Sequence, residues 1–330
     1  MSHQSPDSRQ QVLVFRELPD DLLAKLQAAH DVTVANPRKP EQHAAFMAAL
    51  PTAEALIGSS YPITDELLAQ APRLKLISSI SVGVDNYPLA SLAARGIALF
   101  HTPGVLTETT ADTIFTLVLA TSRRVLELAS LVREGRWTKN IGEELFGWDV
   151  HHKTIAILGF GRIGQAVARR AALGFGMQVL YTNTSPIDVP ELRGHARQVP
   201  LAEALAGADI VVSTLPLTPA TRHLINDATL AQMRPGAFFI NGSRGGIVDE
   251  AALLRALDSG RLRGAGLDVF EPEPLPLDSP LRTHPRVTPL PHAGSATHET
   301  RRAMAEMAVD NLLAALRGEQ AAGAFDLSRV

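Results

Sequence analysis

Short apolar runs alternate with helical stretches along the first hundred residues of the chain. The runs are rich in β-branched or aliphatic residues: VLVF from Val12, VTV from Val32, ALIG from Ala55, LKLISSI from Leu74 and IALF from Ile97. Such alternation is typical of parallel βα units, in which helices cover both faces of a sheet. The first part of the chain is therefore predicted to form a parallel α/β domain.

A second series of strands follows a long helical stretch between about Glu108 and Gly135. Its apolar runs are TIAILG from Thr154, QVLYT from Gln178, IVVSTL from Ile210, AFFIN from Ala237, GAGLDV from Gly264 and RVTPL from Arg286. Helical segments such as AALLRALDSG, which ends at Gly260, separate these runs. This series predicts a second parallel α/β domain.

The last helical stretch runs from about His298 to Arg317 and is amphipathic. Ala303, Met307, Asn311 and Ala314 lie on its helical rows. This helix follows the second series of strands but has no further strand to cover there. We therefore expect it to cross back onto the first domain. Two domains joined by two crossings leave a cleft between them, and such clefts are favoured ligand sites.

Composition and charge exclude several classes of protein. The 330 residues suffice for two domains of roughly 150 residues each. The 31 basic and 34 acidic side chains give a net charge of −3, which argues against nucleic-acid binding. The chain has no cysteine, which excludes disulfides, thiolate nucleophiles and cysteine-ligated metals. No His, Asp or Glu pair has convincing metal-ligand spacing, so we expect no metal.

Membrane and secretion signals are not expected either. No apolar run approaches the roughly 18 to 20 residues that cross a bilayer. The polar start MSHQSPDSRQQ lacks the apolar stretch of a secretory signal. We therefore expect a cytoplasmic protein with no membrane partner.

A glycine motif marks a dinucleotide site. Gly159, Gly161 and Gly164 form GxGxxG directly after the strand TIAILG and at the start of a helix. The first glycine permits a tight turn, the second lets a pyrophosphate approach the backbone, and the third lets helix and strand pack closely. The amides of the helix N-terminus then face the anion.

The turn after the next strand bears on the choice of cofactor. A carboxylate there would bind the ribose 2′-hydroxyl of NAD, but the turn reads Tyr181, Thr182, Asn183, Thr184 and Ser185. With no carboxylate to repel a 2′-phosphate, the sequence favours NADP(H). The turn also lacks an arginine that would bind this phosphate, so NAD(H) stays possible.

Three polar residues each follow a strand of the second domain. Arg244 follows AFFIN, Glu273 follows GAGLDV and His292 follows RVTPL. Taken singly, each has an ordinary structural interpretation. Because the carboxyl ends of parallel strands line one crevice, all three can face one ligand. Carbonyl reduction by a nicotinamide needs an anchor for an acidic substrate and a proton donor, which arginine and a carboxylate-paired histidine supply.

In the first domain, the segment SISVGVDN follows the strand LKLIS. The backbone amides of Val82 and Gly83 can form a small anion-binding nest for a substrate carboxylate. An ordinary strand-ending turn explains the same residues equally well.

The chain resembles the D-isomer-specific 2-hydroxyacid dehydrogenase family over almost its whole length. The motifs that carry the resemblance are SVGVDN, HTPGVLTETTAD, LGFGRIG, STLPLTPAT, INGSRGGIVDE, AGLDVFEPEPLP and PHAGSAT. The segments GRWTKNIGEELFGWDVHHKT and VLYTNTS are most similar to the glyoxylate/hydroxypyruvate reductase and 2-ketogluconate (2-ketoaldonate) reductase branch.

The resemblance implies two Rossmann-like, doubly wound α/β domains, one flavodoxin-like and one NAD(P)-binding. The substrate-binding domain would comprise residues 1–103 and 293–330, and the cofactor domain residues 104–292. The resemblance also implies a homodimer formed through the stretch from about Glu108 to Trp148.

The resemblance assigns roles to individual residues. The catalytic residues would be Arg244, His292 as acid/base, and Glu273 rather than Glu271, because Pro272 and Pro274 flank it. Val82, Gly83, Arg244 and His292 would bind substrate. The residues that would bind cofactor are Thr109, Gly159, Phe160, Gly161, Arg162, Ile163, Gly164, Thr182, Asn183, Thr184, Leu215, Pro216, Thr221, Ser243, Asp268, His292 and Gly294.

The expected activity is NAD(P)H-dependent reduction of small 2-oxo acids, such as glyoxylate, hydroxypyruvate or 2-ketogluconate, to D-2-hydroxy acids. One alternative is a dinucleotide-sensing regulator that keeps the fold. A dehydrogenase of another small anion, such as phosphite or formate, is a further alternative.

Overall fold

The computed structural model describes residues 9–329. The chain divides into two compact units: unit 1 combines Met1–Leu106 with Thr297–Val330, and unit 2 is Thr107–Ala296. The boundaries expected from the sequence, after residues 103 and 292, lie a few residues earlier at both crossings. The polar start that bears on secretion lies largely in residues 1–8, outside the described part of the chain.

Unit 1 is built on a five-stranded parallel sheet. Its strands are β1 (Gln11–Val14), β2 (Asp31–Val34), β3 (Ala55–Gly58), β4 (Leu76–Ser79) and β5 (Ala98–Phe100). The spatial order β2-β1-β3-β4-β5 is that of flavodoxin-like, doubly wound sheets. The five strands predicted in this region are all present.

Unit 2 contains a seven-stranded parallel sheet. Its strands are β6 (Thr154–Leu158), β7 (Gln178–Thr182), β8 (Ala196–Gln198), β9 (Ile210–Ser213), β10 (Ala237–Asn241), β11 (Leu262–Leu267) and β12 (Val287–Pro289). The order β12-β11-β10-β9-β6-β7-β8 reverses direction between β6 and β9, as in dinucleotide-binding Rossmann sheets. The carboxyl ends of the strands beside this reversal form the crevice in which such sheets bind ligands.

Helices connect the strands of both units. They are α1 (Asp20–Ala29), α2 (Pro40–Ala49), α3 (Asp65–Ala69), α4 (Leu89–Arg95), α5 (Thr107–Ser122), α6 (Val125–Arg133), α7 (Arg162–Arg169), α8 (Leu201–Gly207), α9 (Asp227–Gln232), α10 (Glu250–Asp258) and α11 (His298–Leu316). A π-helical turn, Arg170–Gly174, extends α7. No helix in residues 9–329 is long and apolar enough to cross a membrane.

The sheet of unit 2 is buried on both faces, which explains why its strands are almost continuously apolar. Along β6, Ala156 and Leu158 belong to one core cluster, whereas Ile155 and Ile157 belong to the cluster on the opposite face. Successive side chains of a strand point to opposite faces, so both faces need apolar residues.

Strand β8 was not predicted from the sequence. Two of its three residues, Arg197 and Gln198, are polar and exposed, and the strand pairs only with β7 at the edge of the sheet. Backbone hydrogen bonds define this strand, so no apolar run marks it.

The helical stretch predicted between Glu108 and Gly135 is two helices rather than one. Arg124 separates α5 from α6 and adopts a left-handed conformation with φ +54°, which interrupts the helical hydrogen-bond ladder. Its guanidinium donates to Glu127 at 2.9 and 2.7 Å. It also donates to the carbonyl oxygen of Glu144 at 2.5 Å.

Helix α11 lies in unit 1, where it packs against β3, β4 and α1. Its buried residues are Thr300, Met304, Ala305, Ala308, Val309, Asn311, Leu312 and Leu313. Of the residues expected on its helical rows, Asn311 is buried, whereas Ala303, Met307 and Ala314 are half-buried, so the buried face is rotated by about one residue from this row. Sheet and helix contacts together set this rotation, and the sequence of α11 alone does not show them.

An apolar patch lies on unit 2 between Val125 and Trp148, and we call this segment the arm. None of the residues of α6 is fully buried. The exposed large apolar side chains of the arm are Val125, Leu126, Val132, Trp137, Ile141, Phe146 and Trp148. A concentration of exposed apolar side chains in one segment is typical of a surface that binds another protein.

Candidate active site

The glycine turn has the geometry of a pyrophosphate-binding loop. Gly159 follows β6 with φ +89°, a conformation that favours glycine. A Cβ on Gly164 would lie 2.3 Å from the carbonyl oxygen of Gly159, so only glycine allows this packing. A Cβ on Gly161, in contrast, would meet nothing within 4 Å. The open side of the turn at the start of α7 therefore fits a nicotinamide dinucleotide.

Neighbouring loops supply other predicted cofactor residues. The Thr214 hydroxyl, after β9, donates to the Gly159 carbonyl oxygen at 2.6 Å. The adjacent Leu215 and Pro216 are partly exposed. Thr221 donates to the Pro216 carbonyl oxygen at 2.6 Å and stabilises this loop.

Phe160, Arg162 and Ile163 differ in what they offer a cofactor. The Phe160 ring is 1% exposed and stacks on Tyr181, with 3.8 Å between ring centroids. Only the backbone of Phe160 can therefore contact a ligand. Arg162 and Ile163 lie in the first turn of α7, with Arg162 exposed and Ile163 half-buried.

Asn183 lies directly after β7, where NAD-binding domains often carry an acid. Its Oδ1 accepts a hydrogen bond from the Phe160 amide at 3.3 Å, and its Nδ2 donates to the Ser185 carbonyl oxygen at 2.9 Å. Thr182 is half-buried and Thr184 is exposed. A neutral amide thus holds the turn beside the glycine motif.

The loop after β10 carries Arg244, and hydrogen bonds of the Asn241 side chain hold this loop in place. Asn241 is 1% exposed, and its Nδ2 donates to the Arg244 carbonyl oxygen at 2.9 Å. Its Oδ1 accepts from the Ser243 amide at 3.1 Å and from the Ser243 hydroxyl at 2.7 Å. Arg244 is half-buried, and its Nη1 donates to the Ser243 carbonyl oxygen at 2.8 Å.

The β10 and β11 loops approach each other closely at Gly245. A Cβ on Gly245 would lie 2.0 Å from the carbonyl carbon and oxygen of Phe270. Glycine is required here because backbone occupies the space of any side chain. The contact brings the Arg244 loop against the segment that leads to Glu273.

Glu273 and His292 form the central pair of the site. Glu273 Oε2 lies 2.7 Å from His292 Nδ1, and Glu273 Oε1 accepts from the Phe270 amide at 3.0 Å. The His292 side chain is 48% exposed, so its other ring nitrogen is accessible to a substrate. The carboxylate thus orients the imidazole, which can exchange a proton with a ligand.

The charge of Glu273 is stabilised by its neighbours. Burial is the largest single effect on the pKa of Glu273 and raises it, whereas the hydrogen bond and the charge of His292 lower it. The Phe270 amide and the Arg244 guanidinium lower it further, so the pKa lies below its ordinary value. Glu273 is therefore an anion at neutral pH, and its negative charge lies against the His292 ring.

Asp268 fixes the backbone around His292. His292 has φ +53°, which is unusual for a residue with a side chain. Its amide donates to the Asp268 carbonyl oxygen at 2.8 Å. The Asp268 carboxylate accepts from the amides of Ala293 at 2.7 Å and Gly294 at 2.8 Å. These contacts hold the left-handed turn that carries the imidazole.

Burial raises the pKa of Asp268, and this effect exceeds the opposing effects of the Ala293 and Gly294 amides and of His292. Two accepted hydrogen bonds leave lone pairs on a carboxylate for a further donor. The role expected for Asp268, contact with the nicotinamide carboxamide, stays a prediction.

The two glutamates of the proline-rich loop have different partners. Glu271 accepts from Arg222 at 2.5 Å and lies 2.9 Å from His223 Nε2. Glu273 alone of the two contacts His292. The geometry therefore supports the choice of Glu273 made from the flanking prolines.

Thr109 and Gly294 lie close together in unit 2. The Thr113 hydroxyl donates to the Thr109 carbonyl oxygen at 3.2 Å and lies 3.4 Å from that of Gly294. The N-terminal part of α5 therefore lies beside the His292 turn. Contact of these residues with a cofactor stays a prediction.

Val82 and Gly83 follow β4 in unit 1. The Gly83 amide donates to the Ser81 hydroxyl at 3.1 Å. The Val82 carbonyl oxygen lies 3.0 Å from His101 Nδ1. Binding of a substrate carboxylate to the two amides stays a prediction.

Asn241 was missed in the sequence, although it precedes Arg244 by three residues in INGSRGG. A polar residue at the end of an otherwise apolar strand is the signal that could have found it. Within residues 9–329, no group of three or more His, Asp or Glu side chains could hold a metal ion.

The family model "D-isomer specific 2-hydroxyacid dehydrogenase, NAD binding domain" matches residues 115–294. The chain belongs to this family. It is 50% identical over 308 residues to "Glyoxylate/hydroxypyruvate reductase B" of Citrobacter koseri, covering 93% of this chain and 95% of that protein. The protein of the same name from Serratia proteamaculans is 50% identical over 307 residues, covering 93% and 94%.

Solved structures agree with this membership of the 2-hydroxyacid dehydrogenase family. A glyoxylate reductase from Paecilomyes thermophila has a TM-score of 0.87 at 30% identity, covering 97% of this chain and 99% of that one. An NADPH-dependent glyoxylate/hydroxypyruvate reductase from Sinorhizobium meliloti, in complex with NADP and malonate, also has a TM-score of 0.87. It is 31% identical and covers 97% and 98% of the two chains.

Proposed function

We propose that the protein reduces small 2-oxo acids, in particular glyoxylate and hydroxypyruvate, to D-2-hydroxy acids with a nicotinamide cofactor. The observation that carries the proposal is the contact between Glu273 and His292. The charge of Arg244 lowers the pKa of the Glu273 carboxyl group, and all three residues lie in unit 2 with the glycine turn. The relatives named glyoxylate/hydroxypyruvate reductase support this substrate class.

Each side chain of the site has a distinct role in this reaction. The bound cofactor supplies a hydride to the substrate carbonyl carbon. Protonated His292 donates its proton to the carbonyl oxygen as negative charge develops there, while Arg244 stabilises this charge. Glu273 orients the imidazole through their contact at 2.7 Å and places a negative charge beside it. In unit 1, the Val82 and Gly83 amides bind the substrate carboxylate. The Gly83 amide gives up its hydrogen bond to the Ser81 hydroxyl and donates to the carboxylate instead.

We infer that NADP(H) is preferred and that NAD(H) is also used. Asn183 offers a neutral amide at the end of β7, where an acid would repel a 2′-phosphate. The Sinorhizobium meliloti relative, described as NADPH-dependent, supports this preference. No arginine lies between Thr182 and Ser185, which is why the preference is expected to be incomplete.

We also infer that the protein is a homodimer formed through the arm. The arm concentrates exposed apolar side chains, including Val132 at 56% and Trp137 at 58% exposure. A second copy that covers the arm would remove this surface from water. The resemblance to the family supports the same interface.

The first prediction tests the activity. Purified protein should oxidise NADPH when glyoxylate or hydroxypyruvate is added, as followed by absorbance. His292→Ala should lower kcat by about 10²-fold or more, the scale of a lost general acid, and Arg244→Ala should raise KM and lower kcat. His151→Ala, at an exposed histidine, is the control and should change neither. Full activity of the His292 or Arg244 variant would contradict the assigned role.

A second prediction concerns the pH profile. Glu273→Gln removes a carboxylate that is ionised at neutral pH, so the protonated imidazole loses the charge that stabilises it. Activity should then fall at lower pH than in the parent enzyme, and the optimum of kcat/KM should move to lower pH. Profiles that superimpose would show that the carboxylate does not tune His292.

A third prediction concerns cofactor choice. Asn183→Asp keeps the oxygen that accepts from the Phe160 amide but adds a charge that repels a 2′-phosphate. The ratio of kcat/KM for NADPH to that for NADH should fall about tenfold or more, because like charges in contact cost several kcal/mol. Asn226→Asp, at the N-cap of α9, makes the same chemical change away from the site and should leave the ratio unchanged. An unaltered ratio in Asn183→Asp would argue against the proposed basis of cofactor choice.

A fourth prediction concerns assembly. Val132→Asp places a charge in the arm and should convert the dimer into a monomer in sedimentation experiments. Leu173→Asp changes a side chain of similar exposure, 58%, outside the arm and should leave the dimer intact. A dimeric Val132→Asp variant, or a monomeric parent protein, would refute the interface.

A further inference from the structure

We propose that unit 1 carries a second anion-binding subsite, formed by Arg16 and Arg38, that selects 2-oxo acids with a second anionic group. Such a group is a carboxylate or a phosphate at the end of the substrate distant from its 2-oxo acid moiety. This inference rests on the proposed reductase activity and extends it to a substrate class.

The subsite begins where β1 and β3 end. Arg16 lies two residues beyond β1 and is half-buried, and its Nη1 donates to the Ser59 and Ser60 hydroxyls that follow β3. Ser60 has φ +62°, a left-handed conformation that is uncommon outside glycine. Arg38 donates through Nη1 to the Ser60 carbonyl oxygen at 3.1 Å. Both guanidinium groups therefore converge on one short turn.

Arg16 lies near the positive charges of other arginines. Burial lowers the pKa of Arg16 most, and the charges of Arg301 and Arg38 lower it further, against a smaller opposing effect of Glu17. Glu17 itself pairs with Lys39 at 2.5 Å. Among residues 9–329, no carboxylate lies within ion-pair distance of Arg16 or Arg38.

Other arginines of unit 1 form ion pairs with carboxylates. Arg302, on α11, pairs with Asp21 and with Glu306, both at 2.6 Å. Arg9 pairs with Asp31 at 2.7 Å. The half-buried Arg16 has hydroxyl partners instead, so an anionic ligand would supply the missing negative charge.

The position of the turn fits the far end of a substrate. Strands β1, β3 and β4 are consecutive neighbours in a parallel sheet, so the loops that follow them lie at one edge. The predicted carboxylate site at Val82 and Gly83 follows β4. Strands lie about 4.8 Å apart, so the end of β1 is roughly 10 Å from the end of β4. The Arg16 guanidinium lies at the Ser59 and Ser60 hydroxyls after β3, only one strand from β4, so a 2-oxo acid with two anionic ends can reach both positions.

Guanidinium groups favour carboxylates and phosphates over neutral hydroxyls, because they form charge-assisted, often bidentate hydrogen bonds. The Ser59 and Ser60 hydroxyls orient Arg16 toward the turn. We therefore expect the subsite to discriminate by charge rather than by length of the substrate.

The test compares substrates of similar size that differ in charge. For the parent enzyme, kcat/KM for 2-oxoglutarate should exceed that for its 5-methyl ester, whose far end is neutral, by about tenfold or more, the scale of one charge-assisted hydrogen bond. Hydroxypyruvate phosphate compared with hydroxypyruvate distinguishes a phosphate preference from a carboxylate preference. The preference should weaken as salt is added.

Variants then assign the preference to the subsite. Arg16→Gln and Arg38→Gln should each bring the ratio of kcat/KM for 2-oxoglutarate to that for its 5-methyl ester close to one. Arg38 is exposed, so its variant remains informative if Arg16→Gln fails to fold. Arg95→Gln, at an exposed arginine on α4, is the matched control and should keep the parent ratio.

The outcomes separate the two proposals. If the parent enzyme reduces glyoxylate but shows a ratio near one for both substrate pairs, the subsite is refuted and the reductase function stands. A preference that survives both arginine substitutions would also refute the subsite. If glyoxylate and hydroxypyruvate are not reduced with either cofactor, the proposed function itself fails, and the subsite fails with it.

Discussion

The close approach of backbone at the carboxyl edge of the seven-stranded sheet is the constraint on which the candidate site depends. Gly245 lies so near Phe270 that no side chain fits between them, which places the Arg244 loop beside the loop of Glu273. Asp268 then holds the following turn through the amides of Ala293 and Gly294. Parallel strands supply the common edge, and these contacts set the positions of the side chains along it.

Electrostatics follow from that arrangement. Glu273 is partly buried, a setting that by itself raises its pKa and disfavours its charge, yet His292 and the nearby positive and polar groups reverse this effect. The carboxylate therefore stays ionised beside the imidazole. Reduction of a carbonyl group needs a proton donor at the point where negative charge develops. In unit 1, the guanidinium groups of Arg16 and Arg38 meet at the turn that follows β3, which is the basis of the proposed second anion-binding subsite.

Much of this organisation could be predicted from the sequence because strong, local patterns carry it. Apolar runs marked the strands of both units except β8, and the glycine spacing marked the pyrophosphate turn. Arg244, Glu273 and His292 could be singled out because each follows a strand of one parallel sheet. The similarity to known proteins establishes that the chain belongs to the 2-hydroxyacid dehydrogenase family. The catalytic roles of the three side chains are proposals.

The features that could not be predicted depend on contacts between distant segments. Strand β8 is polar and defined by pairing with β7 alone. The inward face of α11 is set by the sheet and by α1, and the break at Arg124 depends on its contacts with Glu127 and Glu144. Asn241 supports the Arg244 loop through hydrogen bonds that no spacing rule reveals.

The most direct test of the account is a double-mutant cycle on the central pair. kcat/KM for glyoxylate is measured with NADPH for the parent enzyme, His292→Ala, Glu273→Gln and the double variant. If Glu273 acts through His292, its substitution should cost activity in the parent but little in the His292→Ala background, so that the double variant resembles His292→Ala. Losses that multiply in the double variant would show that the two side chains act independently and would contradict the account.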